Sequence, residues 1–132
     1  MAEVIKVGTP SLSTQAPQPA NRLTGLLAGE ALGANDACYI KNDGLVYRSI
    51  GAAANAAARV DGWAFSATPA GEAVTLLHDV NVRYGSNLTP GARLYVSATV
   101  PGGLSDTATT GGVSPVAFVV DKTRIRVLRS TY

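Results

Sequence analysis

The chain has one cysteine, Cys38, and one histidine, His78, among its 132 residues. A lone cysteine excludes an intrachain disulfide, and one Cys plus one His cannot fill a tetrahedral zinc shell. No metal and no cofactor are therefore expected. Cys38 sits between Ala37 and Tyr39 in a strand-like run, where a free cysteine acts as a small buried hydrophobe. Charged residues make up only 15% of the chain and the net charge is +2, too small to argue for nucleic acid. So little surface charge favours subunit contacts, and self-association is expected. No apolar run reaches the roughly 18 residues of a transmembrane helix, so no membrane partner is expected. The first residues lack a positive segment leading into an apolar core, so no signal peptide is expected either.

Reactive groups are as sparse. His78 lies beside Asp79, but no Gly-x-Ser-x-Gly elbow occurs, and the sequence does not bring Ser66, Ser97 or Ser114 to the imidazole. The glycine pairs Gly102-Gly103 and Gly111-Gly112 lack the lysine and helix of a phosphate loop. Most carboxylates fall at turns, where they cap backbone donors. The reading is a protein that is not an enzyme and has no small-molecule substrate.

What the chain does have is a repeat. Tyr84-Gly85-Ser86-Asn87-Leu88 through Arg93-Leu94-Tyr95-Val96 echoes Ala28-Gly29 through Ala37-Cys38-Tyr39-Ile40. With Gly29 set on Gly85, Leu32 falls on Leu88, Cys38 on Leu94 and Tyr39 on Tyr95. Further on, Gly62-Trp63-Ala64-Phe65 matches Pro115-Val116-Ala117-Phe118, and Val74-Thr75-Leu76 matches Ile125-Arg126-Val127. Residues 23–132 thus read as a single β domain of two similar units, 23–77 and 80–132. Two copies are too few for an open solenoid, so an all-β fold is expected: a small barrel, a sandwich or a β-tulip-like body.

Within the first unit, Asn42-Asp43-Gly44 marks a hairpin. The run Gly51–Arg59 is rich in alanine and is either one short helix or a loop. Trp63 and Phe65, two apart in a strand, are expected in the core. In the second unit the glycine-rich loop Pro101–Ser114 reads as mobile or splayed, a contact loop or a solvated turn. Residues 1–22 read as an extended arm. Glu3–Val7 alternates like a short strand, but Gly8–Arg22 carries Pro10, Pro17 and Pro19 and has no period. The arm is expected not to pack on its own core, and to be either a free tail or a strand added to a neighbouring chain. Lys122, Arg124 and Arg126 alternate with Ile125 and Val127. They form either the solvated face of an edge strand or a docking surface for an acidic protein. Nucleic acid would want aromatics within that row, and it has none.

The phrases "LLAGEALGANDACYIKNDGLVYRS", "ARVDGWAFSATPAGEAVTLL", "YGSNLTPGARLYVSATVPGGLSD" and "GVSPVAFVVDKTRIRVL" resemble tailed-bacteriophage capsid decoration (cement) proteins, small β-rich virion proteins. The likeness runs over residues 23–128 and rests on turn grammar at Leu32, Asn35, Asp36, Cys38, Tyr39, Asp43, Gly44 and Val46. The second copy departs from it, with Gly91-Ala92 where Asn35-Asp36 stand. The resemblance implies a protein made in the host cytoplasm that sits on the outer capsid surface, commonly as a homotrimer, and bridges major capsid protein subunits. The character of the chain puts the expected capsid or neighbour contacts on the arm (Val4, Ile5, Val7, Pro10, Pro17, Pro19, Arg22), on the basic row (Lys122, Arg124, Arg126) and on the Pro101–Ser114 loop. A carbohydrate- or receptor-binding module of a viral fibre or tail is the alternative, and it would show tyrosines clustered on an exposed rim.

Overall fold

The computed structural model describes residues 3–8, 10–12 and 21–130. The fold is all-β. Five strands, β3 (Arg22–Ala28), β4 (Ala37–Ile40), β5 (Leu45–Arg48), β6 (Gly62–Ala64) and β7 (Ala73–Leu77), close into a barrel in the order β3-β5-β4-β6-β7. The rest, β8 (Val80–Arg83), β9 (Arg93–Val96), β10 (Leu104–Ser105), β11 (Ala117–Val119) and β12 (Arg124–Val127), join a seven-stranded sheet. Its two edges are β1 (Glu3–Val4) on β10 and β2 (Ser11–Leu12) on β8. The β4–β5 hairpin turns where expected, with Gly44 at φ +85°. The alanine run supplies one 3-10 turn, Ala56–Ala58, capped by the Asn55 side chain.

The repeat is structural. Strands β3 to β7 correspond in order to β8 to β12, and four pairings recur antiparallel in both units. Register confirms the match: Leu26 pairs with Val74 as Val82 pairs with Ile125, and Ala64 with Leu76 as Ala117 with Val127. The fifth pairing does not recur. In the first unit β3 runs parallel to β5, Ala28 opposite Val46, and closes the barrel. In the second, β8 and β10 do not meet; Val4 pairs with Leu104, Leu12 with Val82, and the Val7 N–H donates to Tyr84 O at 3.2 Å.

Side-chain size accounts for the difference. The first interior holds Ala28, Cys38, Val46 and Val74 where the second holds Tyr84, Leu94, Leu104 and Ile125. A bulkier filling needs a wider wall, and barrel diameter grows with strand number. The N-terminal segment supplies two extra strands, β1 and β2. This corrects the expectation that the arm stays off its own core.

The two units share buried surface. Ala37, Val60, Trp63 and Leu77 belong to the first unit by sequence but pack into the core of the second. Trp63 is fully buried and its indole N–H donates to Leu128 O at 2.7 Å. Phe65 departs from expectation: the strand ends at Ala64, and Phe65 is 43% exposed.

Candidate functional site

The segment Glu3–Gly8 is a strap across the gap between β8 and β10, and a few polar contacts tether it. Lys6 Nζ donates to Asp36 Oδ1 at 2.6 Å and to Ala34 O at 3.1 Å. The first-unit turn that presents Asp36 is fixed locally: Asn35 takes a left-handed φ of 60°, and Gly33 N–H donates to Asp36 Oδ2 at 2.7 Å. Asp36 is buried, so the ion pair ties strap to barrel in a partly dry setting. At the other end Ser97 Oγ donates to Glu3 Oε1 at 2.7 Å.

Under the strap lies Tyr84, 1% exposed, its ring centroid 5.8 Å from Lys6 Nζ. Burial, then the nearby Asp36 and Glu3 carboxylates, push its phenol well above the usual value. The hydroxyl has no hydrogen-bond partner among the described residues, and neither has Glu3 Oε2. The outer side of the strap is apolar: Ile5 is 70% and Val7 57% exposed. Grooves flank it, one of about 380 Å³ toward Ser86–Thr89 and Val119, the other about 260 Å³ toward Val100–Leu104.

Of the arm positions singled out in the sequence, Val4 is half-buried in β1, Ile5 and Val7 are exposed, Pro10 is buried and Arg22 is exposed on β3. Pro17 and Pro19 lie outside the described residues. Lys122 is exposed in the turn before β12, while Arg124 and Arg126 are half-buried on its outer face. The alternation is as expected. The edge position is not: β12 lies between β11 and β8, inside the sheet.

That face also carries residues the basic row alone did not reveal. Arg83 is the direct cross-strand partner of Arg124. Arg126 pairs with Phe118 on one side and Asn81 on the other, donating to Asn81 Oδ1 at 3.2 Å. Arg93 lies over the Phe118 ring at 5.0 Å. Arg124 Nε donates to Asp121 Oδ2 at 2.7 Å, and this bond with backbone N–H groups holds the Asp121 carboxyl below the usual range. The strap's continuation, β2, runs beside Arg83, Ser11 opposite it in register. Arm and basic row are therefore neighbours.

The remaining candidates are accounted for locally. The His78 Nδ1–H donates to Asp79 Oδ2 at 2.7 Å, and the Ser97 hydroxyl is committed to Glu3. Cys38 is fully buried; burial, then Asp36, push its thiol well above the usual range. The Pro101–Ser114 loop is not splayed: all four of its glycines are buried. Thr109 Oγ1 donates to Val96 O at 2.8 Å, and Gly111 N–H to Gly51 O at 2.9 Å. A Cβ on Gly111 would meet the Ala53 backbone, so only glycine allows this approach. Among the described residues no cluster of three or more His, Cys, Asp or Glu side chains could hold a metal ion. Compared with protein-family models, with curated proteins and with solved structures, the chain matches none.

Proposed function

We propose that the chain is a capsid decoration (cement) protein of the tailed-bacteriophage kind, working without catalysis on the outer surface of an assembled head. One observation carries the reading: the N-terminal strap completes the second unit yet presents Ile5 and Val7 to the outside. Large aliphatics on a short, lightly tethered strand suit a contact that becomes buried on docking. The work is mechanical. Each copy bridges major capsid protein subunits, a homotrimer being the favoured form, and many symmetric copies sum small free energies against separation of the shell. The carbohydrate-binding alternative draws less support, because Tyr39 and Tyr84 are buried and Tyr47 and Tyr95 half-buried.

The test uses undecorated expanded heads assembled from the major capsid protein encoded alongside this chain. Purified protein should co-sediment with them at saturating stoichiometry and raise the temperature at which they come apart. Heads that sediment bare and melt unchanged would refute the proposal.

A further inference from the structure

We infer that the outer face of the second sheet, centred on Arg83 and Arg124, docks a carboxylate-bearing segment of a protein partner. The inference gives the reading above a contact face and rests on it only for the partner's identity. Arg83 and Arg124 stand directly opposite on adjacent strands. Like charges in that relation repel and weaken a sheet. Edge protection does not explain them, since β12 has a neighbour on either side. One step along the same ladder, Asn81 opposite Arg126 gives a hydrogen bond instead of repulsion, so the fold does not require two arginines here. A pair kept against local stability points to a use outside the chain.

The surroundings define the ligand. Among the described residues Arg83 forms no ion pair, and Asp121 engages Arg124. Arg93 lies over the Phe118 ring at 5.0 Å, a cation–π contact that adds a further guanidinium to this face. Residues 80–130 contain six basic and two acidic side chains, against four basic and six acidic over 22–79, so the units carry +4 and −2. The positive excess belongs to the unit that bears this face. Guanidinium forks suit carboxylates, and two side by side can grip one carboxylate or two neighbouring ones. A nucleic acid would look for open aromatic faces, and the Phe118 ring already carries Arg93.

The experiment measures fluorescence anisotropy of a labelled hexaglutamate peptide, with a short duplex DNA as comparator, on native protein, Arg83→Gln/Arg124→Gln and the off-face control Lys41→Gln. Native protein should bind the peptide more tightly than the DNA, and weaken as salt rises. The double variant should raise the peptide Kd about tenfold or more while Lys41→Gln leaves it nearly unchanged. Its melting temperature should stay near native, since the repulsion removed is offset by loss of the Arg124–Asp121 ion pair. Undiminished peptide binding by the double variant, or tighter binding of the DNA through the same arginines, would overturn the inference. Run on heads, the same variant separates the two proposals. Native retention by the variant sinks the arginine face alone. Arginine-dependent peptide binding with no head binding by native protein sinks the decoration reading alone.

Discussion

Lys6 is the residue on which the strap's attachment turns. Lys6→Met leaves the buried Asp36 carboxylate without its cation, which should cost about 1–3 kcal/mol once the partial exposure of the pair is allowed for. Urea unfolding measures this, and limited proteolysis should cut within residues 3–12 sooner than in native protein. Tyr84 gives a paired test. Tyr84→Phe removes a buried hydroxyl with no hydrogen-bond partner among the described residues, and should be neutral or stabilise by about 1 kcal/mol. Tyr84→Ala empties the space beneath the strap and should cost about 3–5 kcal/mol. A marked loss on Tyr84→Phe would mean that the hydroxyl is bonded after all. At the hairpin, the Leu45 N–H and the Tyr47 hydroxyl both donate to Asp43 and hold its carboxyl below the usual 3.8. A depressed carboxyl contributes stability above its unfolded value and loses it as pH falls through the lower folded one. The same bond raises the Tyr47 phenol, whose contribution is lost only as pH rises through its folded value. Asp43→Asn should therefore flatten the acid limb of a stability-against-pH curve between those two carboxyl values.

Between the two units the instructive element is the one that fails to repeat. Gly29 on Gly85 and the Leu, Tyr and Val landmarks made the strands and their order of correspondence legible, because a period-two pattern with turn glycines is local information. Closure of the second unit was not legible in the same way. The Pro-rich stretch after Gly8 has no period, and two-residue strands such as Glu3–Val4 and Ser11–Leu12 leave almost no pattern to read. A signal was nonetheless present: Tyr84 for Ala28 and Leu94 for Cys38 ask for a wider sheet around the second core. The interior place of β12 escaped for another reason, since alternation fixes which way side chains face and says nothing of neighbours. Deleting residues 1–12 tests the element directly. Amide exchange should speed up at β8 and β10, which each lose one neighbouring strand, while the closed barrel from β3 to β7 keeps its protection. Uniform acceleration, or none, would show that the strap is not what completes the second unit.

For the molecule as a whole, the barrel and the strapped sheet share the core around Trp63, so the two units pack together as the proposed decoration role requires. Its two candidate contacts, the aliphatic strap and the arginine face, are linked along the chain by β2, which pairs with β8 beside Arg83. A partner that covers both would bury Ile5 and Val7 and neutralise Arg83 together. Electron cryo-microscopy of expanded heads incubated with the protein tests this most directly. The account predicts added density outside the shell, with the strap and the outer face of β8 and β12 against capsid subunits. Heads that show no added density, at protein concentrations well above the number of sites, would contradict it.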